Sequence, residues 1–300
     1  REALVHYGGG IGQPSDPPGS GYFDPILQHT GQEKRYTGYC TDIFTSAAID
    51  FVRQHRARPF FAYLATNAPH TPLEVMEEAV APYRTMGLDE ATARVFGMIT
   101  NIDANVGRLL ATLDELGLVE DTLVVFMTDN GPQMSEPRYA AGMRGQKGTV
   151  YEAGIRVPSF WRWPGTLAPG RDVSALSAHI DVAPTILDIC GLTPPSGKPM
   201  DGVSRLGPLT GRQDPSERTM YLQWHRGDVP EPFRACAAVG SRFKLVDGRE
   251  LYDLEVDPGE ARDIAAERPE IVADMRAGYE AWFETMRMER QFALPRIVVG

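Results

Sequence analysis

Three polar clusters in this chain carry side chains suited to handling a charged oxygen substrate. Asp129 and Asn130 follow an apolar run in T-L-V-V-F-M-T-D-N-G (122–131). Carboxylate and amide oxygens are the ligands a hard divalent cation takes. His70 stands in T-N-A-P-H-T-P, and an imidazole can protonate a leaving group. Lys147 lies in R-G-Q-K-G-T, where flanking glycines let backbone and ammonium approach an anionic oxygen. Together this is equipment for metal-assisted hydrolysis of an anionic ester. It is not self-sufficient: calcium takes about six to eight oxygens, and no nucleophile is evident. Each cluster also has a plainer reading. D-N-G is a common turn after a strand, and R-G-x-K-G is a common solvated basic turn.

The elements that position these clusters read as follows. Residues 123–127 are a continuous apolar run, expected as a strand buried on both faces. In open α/β sheets, ligand sites lie beyond the carboxyl ends of such strands. Residues 60–65, F-F-A-Y-L-A, read as a second buried strand leading into His70. Between the two lies an amphipathic helix over about 89–116, with Val95, Ile99, Ile102, Val106, Leu109, Leu113 and Leu116 in three-four spacing and Gly117 as its stop. A helix between two strands implies a parallel, right-handed crossover that brings His70 and Asp129-Asn130 to one sheet edge. An earlier helix is expected after Thr41 or Asp42, ending near Arg56. Further on, 157–163 is a strand candidate, and Asp181 is expected to cap a helix over 182–190. Residues 192–218, rich in Pro, Gly and Ser, read as a linker or long surface loop. Beyond them, 234–239, 242–246 and 249–253 are short alternating strands, Asp247-Gly248 is a hairpin turn, and Pro269 opens a last helix to about Met286. The expected domains are an opening loop-rich segment (1–40), an α/β core (41–215) and a C-terminal α+β subdomain (216–300).

Composition narrows the function class. A net charge of −10 argues against a nucleic-acid-binding surface, and no apolar run is long enough to span a bilayer. Cys40, Cys190 and Cys236 are isolated, which argues against a cysteine zinc site and a disulfide scaffold. The run Gly8-Gly9-Gly10-Ile11-Gly12 lacks a dinucleotide fingerprint and meets Pro14, Pro17 and Pro18 where a helix should start.

Taken in order, these motifs resemble the formylglycine-dependent sulfatases, of the arylsulfatase type within the alkaline phosphatase superfamily. The matching stretches are G-Y-C-T-D-I-F-T-S-A-A-I-D-F, P-F-F-A-Y-L-A-T-N-A-P-H-T-P, T-L-V-V-F-M-T-D-N-G, R-G-Q-K-G-T-V-Y-E-A-G-I-R-V-P and L-Y-D-L-E-V-D-P-G-E. They run from about Tyr36 to Met286. The resemblance implies an alkaline-phosphatase-like mixed sheet flanked by helices, with a smaller antiparallel α+β subdomain at the C-terminal end. It implies sulfate-ester hydrolysis on an aryl sulfate or a sulfated carbohydrate, with one Ca2+ ion. By position, Asp129 and Asn130 match the family's calcium ligands. His70 matches its sulfate-contacting histidine, a candidate proton donor, and Lys147 its sulfate-binding lysine. The family also implies a periplasmic or secreted protein, with a sulfated small molecule or carbohydrate as partner and neither nucleic acid nor membrane.

The departure from the pattern is as informative. The family's nucleophile sits in Cys/Ser-x-Pro/Ala-x-Arg, and no such motif occurs in these 300 residues. Ser135-Glu136-Pro137-Arg138 comes nearest with the wrong offset. The family's Asp-Asp metal pair and Lys-x-x-His segment are missing as well. The chain therefore reads as the C-terminal portion of a sulfatase, entered midway and inactive alone. Two alternatives stay open: a phosphate-ester hydrolase of the same superfamily, and a non-catalytic remnant that binds a sulfated ligand. Among the remaining histidines, His225 is a candidate for the substrate pocket, His179 is expected to pack in the core, and His6, His29 and His55 have no partner pattern. The sequence leaves the oligomeric state open.

Overall fold

The structure is a computed structural model and describes residues 2–7, 11, 16–133, 139–194, 199–212, 217–224 and 229–289. His225 and most of the glycine run at 8–12 lie outside the described residues. The chain divides into two compact units, Arg1–Thr122 and Leu123–Gly300.

In the first unit, β1 (Leu4–Val5), β2 (Ile26–His29) and β3 (Gln32–Arg35) form an antiparallel sheet in that order. The opening segment thus carries strands that its Gly and Pro content conceals. β3 reads Q-E-K-R and is exposed throughout, so it offers charge to solvent, as edge strands do, and shows no apolar alternation. Its turn, Thr30-Gly31, has φ of 50° and 83°, the mirror-image geometry that suits a two-residue hairpin.

Three helices follow: α1 (Cys40–His55), α2 (Glu77–Thr85) and α3 (Glu90–Glu115). Tyr39, not Thr41 or Asp42, holds the N-cap of α1. Asp42 is used elsewhere: its Oδ1 accepts from Asn101 Nδ2 (2.9 Å) and Asn105 Nδ2 (2.6 Å), tying α1 to α3. α3 follows the expected spacing closely. Asp89 caps it by accepting from Thr92 N at 3.1 Å, and Gly117 at φ 65° ends it as Leu118 N returns to Leu113 O. A Cβ on Gly97 would stand 3.1 Å from Ala79 O, so this glycine sets how closely α2 and α3 approach. The core gathers Tyr22, Leu27, Phe44, Val80 and Met98.

Residues 60–65 form no strand, which corrects the sequence expectation. Phe61 is 68% exposed and Tyr63 84%. Strand-prone residues make a strand only where another strand takes up their backbone groups, and none does so among the described residues. The expected parallel crossover through α3 is accordingly absent among the described residues.

In the second unit, β4 (Val124–Met127) pairs antiparallel with β5 (Ser159–Arg162), Phe126 opposite Phe160. β4 is half-buried rather than buried on both faces, because it has one strand neighbour among the described residues. After β5 come a short 3-10 turn (His179–Asp181), α5 (Val182–Ile189) and α6 (Leu206–Leu209), with α4 (Glu152–Ile155) preceding β5. Asp181 stands at the N-cap of α5, but its side chain accepts no capping hydrogen bond from that helix. Its buried carboxylate accepts from Ala178 N (2.8 Å), Val203 N (2.9 Å) and the Arg218 guanidinium. Residues expected as a linker or long surface loop are docked where described: Arg205 N donates to Thr185 Oγ1 (2.8 Å), and a Cβ on Gly202 would meet Ile180 O at 1.9 Å.

The C-terminal sheet has four antiparallel strands: β6 (Met220–Gln223), β7 (Cys236–Val239), β8 (Phe243–Val246) and β9 (Glu250–Asp253). β6 lies among residues without a clear alternation and is the strand the sequence does not announce. Asp247 and Gly248, both at positive φ, turn β8 into β9 as expected. Alternation splits the sheet into two faces. Ala238, Leu245 and Leu251 pack with Met275 of α7 (Pro269–Glu289). Ala237, Val239, Val246 and Tyr252 pack with Val150, Tyr151 and Ile155. The second face thus supports the segment that follows Lys147.

Candidate active site

In the second unit the backbone brings the Asp129-Asn130 pair and the Lys147 loop together. Gly131 N donates to Gly154 O (3.0 Å), and Lys147 N donates to Pro132 O (2.8 Å). A Cβ on Gly131 would lie 1.7 Å from Ala153 O, so only glycine lets the D-N-G turn lie against α4. Gly154 is equally constrained, with Thr149 O at 2.3 Å from its would-be Cβ. Gly145 (φ 87°) and Gly148 (φ 84°) bend the chain on either side of Lys147. Thr149 Oγ1 accepts from Gln146 N (3.1 Å) and donates to Gln146 O (2.7 Å), fixing the turn between them.

The loop is anchored through its ends, not through Lys147. Arg144 Nη1 donates to Tyr252 Oη (2.6 Å), and its guanidinium lies 4.0 Å from the Tyr151 ring centroid. Arg144 is committed to the scaffold. At the other end, Glu152 joins a buried ionic group. Lys244 Nζ lies 2.9 Å from Glu152 Oε1 and 2.7 Å from Glu260 Oε1, and Glu152 N donates to Glu260 Oε2 (2.7 Å). Burial pushes the Glu260 carboxyl upward, and the Lys244 ammonium opposes it. By contrast, the half-buried Lys147 makes no ion pair or side-chain hydrogen bond among the described residues.

Asp129 is exposed and Asn130 half-buried. Asn130 Nδ2 donates to Asp129 Oδ2 at 2.5 Å. With the amide nitrogen so used, the Asn130 carbonyl oxygen and the Asp129 carboxylate remain as acceptors. This donor set is all oxygen and fits a hard cation such as calcium. It is a partial set, and no group of three or more His, Cys, Asp or Glu with metal-site geometry occurs among the described residues.

His179 belongs to the same neighbourhood. It is exposed, not packed in the core as the sequence suggests. Its Nε2 lies 2.8 Å from Thr128 O, and since a carbonyl only accepts, Nε2 carries the proton. The ring thereby holds the peptide that leads into Asp129. Asp181, two residues on, fixes this turn. Burial pushes its carboxyl upward, but the Arg218 guanidinium and the N–H groups of Val203 and Ala178 outweigh that and hold it below the usual carboxylate range. The spacing His-x-Asp ahead of α5 was the available signal for this support.

His70 lies in the first unit. Its ring is exposed while its backbone is pinned: His70 N donates to Asn67 O (3.0 Å), and Tyr22 Oη donates to His70 O (2.7 Å). Asn67 Nδ2 in turn donates to Tyr22 Oη (2.6 Å). Burial raises the Tyr22 phenol far above its ordinary range, so it stays a proton donor. His70 Nδ1 lies 2.8 Å from Thr71 O and so carries the proton, leaving Nε2 to take up or release one. In the same unit, burial pushes the Cys40 thiol up to about 12, which makes it inert as a nucleophile.

Comparison with known proteins finds sulfatases. The family model described as Sulfatase covers residues 5–192, and that of N-sulphoglucosamine sulphohydrolase, C-terminal, covers 145–282. Mouse steryl-sulfatase is 32% identical over 271 residues, 77% of this chain and 42% of the relative. Bovine arylsulfatase A is 30% identical over 255 residues, 82% of this chain and 46% of the relative. The chain thus spans less than half the length of these curated relatives. The crystal structure of Ps i-CgsB superposes with a TM-score of 0.78 at 28% identity, covering 86% of this chain and 57% of that one. A structure of BT4656, described in complex with its substrate D-glucosamine-2-N,6-O-disulfate, shares the fold at a TM-score of 0.72 and 20% identity, covering 96% of this chain and 77% of that one. The fold is the alkaline-phosphatase-like mixed α/β architecture of such enzymes, and the chain belongs to the sulfatase family.

Proposed function

We propose that the native protein hydrolyses sulfate esters of carbohydrates. One observation carries this reading: the Asp129-Asn130 turn and the Lys147 loop are locked together by Gly131 N to Gly154 O and Lys147 N to Pro132 O, which puts oxygen ligands and a lysine that no described residue pairs on adjoining loops. A sulfate group needs both, a cation on its oxygens and a fixed positive side chain. Asp129 and Asn130 would hold one face of a calcium ion, and the bound ion would supply neutralisation of the developing oxyanion. Lys147 binds a sulfate oxygen. It meets no competing carboxylate among the described residues, so its charge is available to substrate. His70 gives its Nε2 proton to the departing sugar oxygen while Nδ1–H stays on Thr71 O, which keeps the ring oriented through the transfer. The attacking group, a formylglycine by family, belongs to another segment of the native protein, and these 300 residues alone turn nothing over. The carbohydrate class follows the N-sulphoglucosamine sulphohydrolase match over residues 145–282. On this reading the native protein acts in the periplasm or outside the cell.

The experiment is to read the coding sequence upstream of Arg1. The proposal expects, in frame, an Asp-Asp pair after a strand and then Cys- or Ser-x-Pro/Ala-x-Arg. A Thr or Ser nucleophile in a zinc-ligand setting would replace it with phosphate-ester hydrolysis. A start codon immediately before Arg1 would overturn catalysis.

A further inference from the structure

Lys147 has a neighbour that the sulfate chemistry does not use. A Cβ placed on Gly148 would lie 3.8 Å from Trp224 Cζ2 and 4.0 Å from Cε2. The indole of Trp224, at the end of β6, therefore rests against the glycine that directly follows Lys147. Trp224 is 45% exposed. Its backbone is fixed, since Trp224 N donates to Ala235 O at 2.8 Å. Gly148 is held at φ 84°, so the contact point on the loop is fixed as well. A large apolar ring, 45% exposed, thus lies against the glycine next to a lysine that no described residue pairs, at a position built by two different elements.

We propose that Trp224 is a specificity-determining residue: its indole stacks on the pyranose ring whose sulfate Lys147 binds. The assignment rests on the sulfatase reading and deepens it. A sugar presents a patch of C–H groups on one ring face, and an aromatic ring buries that patch while leaving the hydroxyl rim hydrated. Ammonium and indole together recognise an anion attached to such a ring. Inorganic sulfate engages the ammonium only.

The test is calorimetric binding of N-acetylgalactosamine 6-sulfate, and separately of inorganic sulfate, to the native full-length protein and its Trp224→Ala and Trp224→Phe variants. The expected result is a loss of at least tenfold in affinity for the sulfated sugar in Trp224→Ala, unchanged affinity for inorganic sulfate, and recovery to within threefold of the native value in Trp224→Phe. Sugar affinity within twofold of the native value in Trp224→Ala overturns the proposal. So does a parallel fall for sugar and sulfate, which would mean that the variant has displaced the Lys147 loop. Binding is read on calcium-depleted protein, which the sulfatase reading expects to be without turnover, so failure of that reading shows separately, as a calcium-loaded native protein that binds the sugar and releases no sulfate.

Discussion

Replacing Lys244 by Met tests how the Lys147 loop is supported. Lys244 is fully buried and is flanked by Glu152 and Glu260, whose side chains are 7% and 0% exposed. Methionine fills the volume of the lysine stem but removes the only charge among the described residues that faces both carboxylates. The nearest other cation, Arg156, lies 3.7 Å from Glu152 Oε2 with a side chain 63% exposed, so water screens it. Breaking a buried pair by removing one partner costs about 3–5 kcal/mol. At roughly 2–4 °C per kcal/mol for a unit of this size, the midpoint of thermal unfolding should fall by about 6–20 °C at pH 8. The pH dependence has a fixed sign. In the variant Glu260 keeps the burial that raises its carboxyl and loses the ammonium that opposes it, so its folded-state pKa lies above the unfolded one and the folded state binds more protons. The relief is complete below the unfolded value and disappears as pH rises through the folded one. The loss in Lys244→Met should therefore be larger at pH 8 than at pH 5, and adding Glu260→Gln should recover part of it at pH 8. Denaturant melts at the two pH values provide the assay. A loss below about 1 kcal/mol at pH 8, or one that grows toward pH 5, would refute the argument.

Three further outcomes are expected. Gly131→Ala forces a Cβ into Ala153 O and endangers the Gly131 N to Gly154 O bond, so it should cost about 2–4 kcal/mol, measured by denaturant melts. Asp181 has a carboxyl held below its ordinary pKa in the folded state, so its contribution is present above the unfolded value and lost as pH falls through the folded one. Asp181→Asn should accordingly flatten the acid limb of the stability profile, besides leaving Arg218 without its buried counter-charge. Calcium removal with a chelator should lower the melting temperature of the native protein, and Asp129→Ala should abolish that difference.

The sequence made some parts of this structure legible and concealed others for physical reasons. α3 was readable from end to end, since its cap Asp89, its apolar stripe and Gly117 all act within the helix itself. The 247–248 turn was readable because positive φ at two successive residues restricts residue choice. Residues 60–65 misled because strand formation depends on a partner that local composition does not encode. β6 was missed for the converse reason: M-Y-L-Q gains its identity from pairing with a fully buried β7. Of the candidate residues, Asp129, Asn130, Lys147 and His70 stood out by residue type and neighbouring glycines or prolines. His179 did not, because its hydrogen bond to Thr128 O spans 51 positions of sequence. Trp224 was likewise invisible as a neighbour of Gly148, which no spacing rule links to the end of β6.

The most direct measurement is release of inorganic sulfate from a set of sulfated monosaccharides, N-acetylgalactosamine 6-sulfate among them, by the native full-length protein and its Lys147→Ala variant. The account predicts calcium-dependent release by the native protein and a fall of roughly 100- to 1,000-fold in kcat/KM in the variant, the loss expected for removing one preorganised group that neutralises charge in the transition state. Turnover in Lys147→Ala within threefold of the native enzyme would contradict it, as would a native protein that hydrolyses the corresponding phosphate ester and leaves the sulfate ester intact.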